Sequence, residues 1–494
     1  MAKHHPFFLL LWLLFFSGYN SIAFANSTFT PTLAKAQTEL LKLKVINASQ
    51  LVQQESKNET INAVALLVAN YSDFLRICVQ QDKSVYDKLI NAQEDRLSQL
   101  EALKEKSEWV DYSKAEVRMQ LGVSKLTTGN KLSAAWDFRK AYLQLKANAE
   151  TYPQFLPNKK SYGLMQILIG SVPDNYKWFF NIIGMKGSVS AGVANLKSVA
   201  TQQNPAQKEA QLLYALTQHM LDEEKNTPAA LKAVHQLVSE QPDNLLFSFV
   251  YIHLLKKTKH SDQALQQFSQ RPKGKGYLSF PYLHHMAADL YLYKGDYSKS
   301  IEANKIFLEQ HQGEHYLKSA YYKLFLAYKL NNLQPQAKWY YNNIAPIGIA
   351  ETEEDKYASR FIERKEQFHN ALLVARLRYD GGYYKKALQV LNNIDNTDEL
   401  SSALNAEYLY RKARIYHGLN NKPLAIFFYQ KTIKACEATD LYFAPNAALQ
   451  LGYLYQQSKQ PSMAKAYFDK AKSFKGHAYK NSIDAKAKLA LSTL

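Results

Sequence analysis

The densest group of potential metal ligands is His311-Gln312-Gly313-Glu314-His315, which fits the HxxEH arrangement of one class of zinc peptidase. That chemistry needs both imidazoles on one face of a regular helix, so that the metal and a general base converge. Gly313 interrupts the run, and the five residues fall between two repeat-like segments, so they read as an inter-repeat loop. His284-His285 is an adjacent pair, and neighbours on a helix point about 100° apart. One is expected to face a groove and the other to pack. The segment 184-GMKGSVSAG-192 holds Gly and Ser but lacks the GxSxG spacing of a nucleophile elbow. There is no GxxxxGK[ST] phosphate loop, no strand-borne GxGxxG and no pair of CxxC motifs. The sequence therefore predicts a binding protein, with no catalytic residues, no metal and no cofactor.

The elements that must carry any binding site come next. A chain of 494 residues is too long for one compact core and implies about three domains or one elongated array. Residues 1–25 read as a secretory signal peptide. Lys3, His4 and His5 form its basic start, FFLLLWLLFF at 7–16 its apolar run, and Ala23-Phe24-Ala25 a small-x-small cleavage pattern before Asn26. Ten apolar residues are too few to span a bilayer, which takes about 20. No cysteine follows that could carry lipid. The most apolar later region, 162–196, is broken by Gly170, Pro173, Asp174, Lys177, Gly184 and Gly187, so the mature protein is expected to be soluble. Cys78 and Cys436 are read as two buried thiols. So few cysteines in an exported chain suit a bacterial envelope, periplasmic or secreted. The net charge of +18 favours anionic partners, and the export signal argues against nucleic acid.

Internal repetition is the strongest signal. Small residues recur at Ala230, Ala264, Ser300, Ala337, Ala387, Ala425 and Ala464, at spacings of 34, 36, 37, 50, 38 and 39. A tetratricopeptide repeat, two antiparallel helices and a turn, takes about 34 residues. Twelve positions before four of these anchors stand Ala288, Ala375, Ala413 and Gly452, which would let the two helices of a repeat approach closely. Five positions before an anchor come Gly295, Gly382, Asn420 and Lys459, suited to end a helix with positive φ. Four positions after come Val234, Phe268, Tyr341, Leu391, Tyr429 and Phe468, with Asn304 the exception. At Ala337 the preceding loop is read as one residue longer, and Phe325 takes the small position. A fainter repeat centres on Ala135 after Gly129-Asn130. The charged run 351-ETEEDKYASRFIERKEQF-368 accounts for the long interval and is expected to lengthen a helix there.

Two stretches resemble the tetratricopeptide repeat protein 39 and inclusion-body-clearance family. In 161–196 the matching residues are Gly163, Pro173, Gly184, Gly187, Gly192 and Leu196. In 443–494 they include Ala448, Leu451, Ala464, Ala471, Lys472 and Tyr479. The resemblance covers about half of the chain. It implies an all-helical repeat scaffold with no catalytic residues, loosely associated with lipid or protein-aggregate handling. That family is intracellular, and the signal peptide sets this chain apart as an exported bacterial branch.

The predicted fold is all-α, a tetratricopeptide-like right-handed α-solenoid of helix-turn-helix repeats with an atypical N-terminal helical region. Its organisation is a signal peptide (1–25), an N-terminal helical region with a divergent repeat (26–150), an apolar helical hairpin (151–200) and repeats (201–345). A charged helical insertion (346–370) and C-terminal repeats with a closing helix (371–494) complete it. In this repeat type the first helix of each pair faces the groove. Counting back from the anchors places Tyr282, His285, Asp289, Arg376, Tyr379, Tyr410, Arg414, His417 and Tyr453 there. Such a lining suits a protein or peptide partner with an acidic segment, through stacking and charge-assisted hydrogen bonds. The alternative is docking on an anionic membrane surface through Lys177, Trp178, Phe179 and Phe180.

Overall fold

The computed structural model describes residues 29–55, 62–172, 180, 182–364, 368–394, 400–436, 439–492 and 494, and of residues 223–225 the backbone alone. The expected signal peptide lies outside these described residues. Every regular element among them is helical. The N-terminal region comprises α1 (Pro31–Leu41), α2 (Val45–Glu55), α3 (Ala63–Leu75) and α4 (Tyr86–Ala102). Helix pairs follow as α5 (Glu108–Thr127) with α6 (Lys131–Thr151), α7 (Leu156–Gly170) with α8 (Val189–Thr201), and α9 (Gln207–Leu221) with α10 (Glu223–Glu240). Next come α11 (Leu245–Lys257) with α12 (Ser261–Gln270), α13 (Tyr282–Lys294) with α14 (Tyr297–Gln310), and α15 (Leu317–Leu330) with α16 (Gln334–Asn342). A single helix, α17 (Glu353–Glu363), precedes α18 (Asn370–Asp380) with α19 (Tyr384–Asn392). The chain continues through α20 (Ser402–Gly418) with α21 (Lys422–Cys436) and α22 (Phe443–Gln457) with α23 (Pro461–Ser473), and α24 (Lys480–Leu491) closes it.

One device ends the first helix of seven pairs. Gly129, Lys259, Gly295, Asn332, Gly382, Asn420 and Lys459 all have positive φ, from 55° to 90°. The next residue's N–H then reaches back to the carbonyl five positions earlier, as in Asp296 N to Tyr291 O at 2.9 Å and Gln460 N to Tyr455 O at 2.9 Å. This bond satisfies a carbonyl that the helix end leaves open. Five residues after each turn stands a buried small residue: Ala134, Ala264, Ser300, Ala337, Ala387, Ala425 or Ala464. Two sequence expectations are corrected by this register. The faint repeat centres on Ala134, because Ala135 is exposed, and the Ala337 repeat carries no extra turn residue, because Asn332 takes the left-handed position.

The corrected register exposes a packing rule. A methyl group on Gly122 would lie 3.0 Å from Phe138, which stands four residues after Ala134. One on Gly452 would collide with Phe468, four residues after Ala464. At these two sites the position twelve before the anchor is small because an aromatic ring from the second helix lies across it. Bulk there forces the pair apart, typically at 1–3 kcal/mol.

The N-terminal half forms one continuous apolar core. The stretch Ala63–Gln80 is long and apolar enough to cross a membrane by composition, yet it is mostly buried in that core. Helices α7 and α8 cross closely, since a methyl on Gly163 would lie 2.9 Å from the carbonyl oxygen of Gly192. Gly163, Gly170, Gly187 and Gly192 thus serve close packing, whereas Gly184 has a positive φ and open space around it. Cys78 and Cys436 are both free and buried.

The charged run at 351–368 does not lengthen a neighbouring helix. It forms α17, started by the Thr352 hydroxyl, which accepts from the Asp355 N–H at 3.0 Å. Helix α17 packs on α15, and α18 then reaches past it to touch α13. At that crossing Arg378 donates to the Tyr293 carbonyl at 3.4 Å, and the Tyr383 hydroxyl donates to Asp262 at 2.9 Å.

Gly452→Ala should destabilise the protein by about 1–3 kcal/mol, and Phe468→Leu by a similar amount. Because the two occupy one crossing, the double variant should cost clearly less than the sum, measured by urea unfolding in a double-mutant cycle. Additive losses would mean that the ring does not set the size of residue 452.

Candidate functional site

All nine residues expected to line the groove lie on first helices, and the structure sorts them into two groups. On α13, His285 meets Glu354 of the insertion helix α17, Asp289 joins the same charge cluster through Lys323, and Tyr282 packs on His285 and Tyr316. His285 and Asp289 are buried at 0% and 4% exposure. Glu354 of α17 accepts from Lys323 at 2.7 Å and from the Ser319 hydroxyl at 2.9 Å, and its Oε2 lies 3.0 Å from His285 Nε2. Lys323 also pairs with Asp289 at 2.8 Å, and Lys256 bridges to the same carboxylate. Asp355, the next residue of α17, accepts the Tyr316 and Ser319 N–H groups at 2.7 and 3.0 Å.

The charges in this cluster answer one another. Burial disfavours the Glu354 carboxylate, but Lys323, His285 and Lys256 outweigh it and hold the group well below the usual range. Asp289 is likewise held low, since Lys256 and Lys323 overcome its burial. Lys323 is raised, because Asp289 and Glu354 together outweigh the cost of burying it. Burial and the neighbouring Lys323 push the His285 imidazole below its ordinary value. This half of the groove is filled by the chain itself.

The second group behaves differently. On α18 and α20, Arg376, Tyr379, Tyr410, Arg414 and His417 stay clear of α17, apart from one bond that Arg376 makes to it. Arg414 donates to the hydroxyls of Tyr379 and Tyr410 at 2.9 and 3.0 Å. Lys259, brought in by the left-handed turn before α12, sits 3.4 Å above the centre of the Tyr379 ring. Arg376, one turn before Tyr379, donates to Tyr357 and Tyr322 at 3.0 and 3.3 Å. Among the described residues none of these three cations has a carboxylate within ion-pairing distance. Arg411 is nearby and does have one, Glu407 at 2.8 Å.

The consequences appear in the titrating groups. Burial and the Arg414 guanidinium push the Lys259 ammonium below its ordinary value, against the pull of Tyr379. Burial opposes ionisation of the Tyr379 phenol, but Arg414 and Lys259 still draw it below its usual value. The His417 imidazole is pushed down to about 4 by burial and by Arg414, Lys259 and Lys422. The ring nitrogen Nδ1 of His417 lies 3.2 Å from the Tyr429 hydroxyl. A half-buried site with three cations and phenol partners is preorganised for an anion. Guanidinium groups suit carboxylate or phosphate, and tyrosine rings suit an extended chain.

Tyr453 sits one repeat further on, edge-on to Phe468. The sequence count missed Lys256, Ser319 and Tyr322, although the same offsets from Ala264 and Ala337 give all three. It also missed Lys259, Lys323, Glu354 and Arg411, which the groove positions do not include. Of the residues offered for membrane contact, Lys177, Trp178 and Phe179 lie outside the described residues, and Phe180 packs half-buried against the core. The HxxEH residues lie in the loop after α14. His311 Nε2 is 3.0 Å from the His315 carbonyl, and Glu314 pairs with Lys83 at 2.9 Å. His284 packs edge-on against Phe268 and lies 3.3 Å from Arg271, so both members of the histidine pair are packed.

The two halves predict responses of different size. Lys323→Met removes the cation that Asp289 and Glu354 share and leaves them only Lys256 and His285, so it should cost about 3–5 kcal/mol. Arg414→Met removes no ion pair but two hydrogen bonds to phenols and should cost less, about 1–2 kcal/mol. Glu354→Gln should destabilise at neutral pH. A depressed carboxylate stabilises above its unfolded value, about 4.3, and loses that effect as pH falls through its folded value. The Glu354→Gln and wild-type stabilities should therefore converge in acid. A constant gap down to about pH 2 in thermal unfolding would contradict the assignment.

Residues 406–439 and 445–481, which take in α20 with α21 and α22 with α23, match the Tetratricopeptide repeat family. No curated protein matches the chain. Among solved structures, the human IFIT1 dimer with PPP-AAAA is 14% identical at a TM-score of 0.32, over 88% of this chain and 94% of that one. A monomeric IFIT1 mutant with Gppp-AAAA is 14% identical at a TM-score of 0.33, over 94% and 99%. A tetratricopeptide repeat protein from Parabacteroides merdae ATCC 43184 is 16% identical at a TM-score of 0.25, over 57% and 98%. Superpositions this loose have no bearing on ligand or partner. With two matched repeats inside a ladder of helix pairs, the chain is a tetratricopeptide-type repeat protein of all-α fold.

Proposed function

We propose that this protein is a non-catalytic scaffold of the cell envelope that holds an acidic segment of a protein partner between α18, α20 and α22. The observation that carries the reading is the set of half-buried cations Lys259, Arg376 and Arg414, whose polar partners are tyrosines. Burying charge without an ion-paired counter-charge is costly, and Asp380, the carboxylate that acts on Lys259 and Arg376, stands beyond pairing distance of both. A carboxylate from outside would supply the missing charge, and the tyrosine rings would pack along its chain. The fold supports the same role, since repeat arrays of this kind present their first helices as an extended surface.

Export is part of the proposal. It rests on Lys3, the apolar run 7–16 and the Ala23-Phe24-Ala25 pattern. The resemblance of 161–196 and 443–494 to the tetratricopeptide repeat protein 39 family supports a scaffold, and the leader makes this chain an exported branch of it.

Photo-crosslinking from position 453 or 410 in intact cells of the source organism tests the reading. One envelope protein should dominate, joined through an Asp- or Glu-rich segment, and Arg376→Gln with Arg414→Gln should cut its yield about tenfold, as expected for charge-assisted contacts. Unchanged yield in that variant would overturn the groove assignment. N-terminal sequencing of the recovered protein should begin at Asn26. A start at Met1 would overturn export.

A further inference from the structure

A second surface lies on the opposite kind of helix. Helix α6 is the second helix of its pair, and it leaves large apolar side chains in water. Leu132 is 81% exposed, Trp136 61% and Leu143 37%. At about 100° per residue these three fall within roughly 40° of one another, on a single stripe. The neighbouring chain adds to it. Arg139 of α6 donates to the Ile183 carbonyl at 2.8 Å, and the Tyr142 hydroxyl donates to the Lys186 carbonyl at 2.8 Å. These bonds hold the segment 182–186 on α6, where Ile182 is 73% exposed.

The charges along the stripe are mainly positive. Lys131, Lys140 and Lys146 are exposed, and Lys186 borders it from the docked segment. Exposed carboxylates stand at its two ends, Glu351 at 3.2 Å from Lys131 and Glu150 at 3.9 Å from Lys146. Asp137 faces inward and is neutralised by Arg118 and Lys125 at 3.3 and 3.0 Å. An exposed Trp and Leu stripe flanked by lysines is the composition of a helix that lies in a membrane interface. The apolar face enters the acyl boundary, and the cations meet anionic head groups. Ordinary repeat packing gives no reason for it, because the buried face of α6 is complete in Ala134, Ala141, Tyr142 and Leu145.

We propose that α6, with Ile182 beside it, docks the protein on an anionic lipid surface. This goes beyond the partner groove and is independent of it, because α6 takes no part in the cluster around Tyr379. It also differs from a contact through 177–180, since the anchoring side chains are Leu132, Trp136 and Leu143.

Flotation with vesicles tests it, using protein purified from cells that express the full chain. The vesicles are phosphatidylcholine alone or phosphatidylcholine with phosphatidylglycerol. Wild type should float with the anionic vesicles and stay below with the neutral ones. Leu132→Glu with Trp136→Glu should cut the floated fraction about tenfold. Lys140→Glu with Lys146→Glu should also reduce it, whereas Trp339→Glu, at another exposed tryptophan, should not. All these positions are exposed, so circular dichroism and the melting temperature should match wild type. Equal flotation of the α6 variants, or equal binding to neutral vesicles, would overturn the proposal. So would a lipid-free dimer that the Leu132/Trp136 variant splits, because the stripe would then be covered by a second copy.

Discussion

The close crossing of two helices within each pair is the constraint on which the rest of the molecule depends. The crossing needs a small residue on each helix, and an aromatic or large aliphatic side chain from the second helix fills the space beside it. Gly122 beneath Phe138 and Gly452 beneath Phe468 show this at opposite ends of the chain. Once the pair is closed, its first helix can stand beside the first helix of the next pair. The groove positions then follow by counting, since the first helices of seven pairs meet their turns at the same offset. The turn itself is cheap to specify. Glycine, asparagine and even lysine fill the left-handed position, because the cost of that φ for a residue with Cβ is only about 1–2 kcal/mol.

Along this surface the chain treats charge in two ways. Around His285 it supplies both signs, and Glu354 arrives from an inserted helix to meet Lys323. Around Tyr379 it supplies cations and aromatic hydroxyls. The first arrangement is a structural junction, in which the carboxylates and ammonium groups keep each other ionised. The second holds Lys259 below its ordinary value, chiefly by burial, while Arg414 and Lys259 draw the Tyr379 phenol down and the tyrosines keep both guanidinium groups charged.

Much of the architecture was legible in the residues themselves. Seven small anchors at near-constant spacing define the ladder, and all seven are buried. Two errors are of register by one residue, at Ala134 and before Ala337, and others concern the insertion, which forms its own helix, and the histidine pair, of which both members pack. At Ala134 the sequence marks the turn correctly at Gly129 and places the anchor one residue late, and before Ala337 it is Asn332, with no glycine to mark it, that makes the left-handed turn. The candidate site was legible in its first-helix positions and obscure in its partners. Tyr379, Tyr410 and Arg414 fall out of the repeat count, but Lys259 comes from a turn three helix pairs earlier in the chain, at a distance in sequence that no period marks. Glu354 meets His285 across 69 residues. A charged run reads as a solvated face, and only the path of the chain turns it inward.

The contact between α13 and α18 has a mechanical meaning. In a simple solenoid, tension applied to the two ends passes through every repeat in turn, and the weakest one opens first. Here Arg378 is bonded to the Tyr293 carbonyl, and a methyl on Gly381 would lie 2.7 Å from Tyr293 Cβ, so the two helices are in direct contact. Pulling forces can cross from one to the other without entering α14 to α17. Those four helices share a packed core with α13 and α18, and the junction bridges them, so tension would reach their length only after the α13–α18 contact slips.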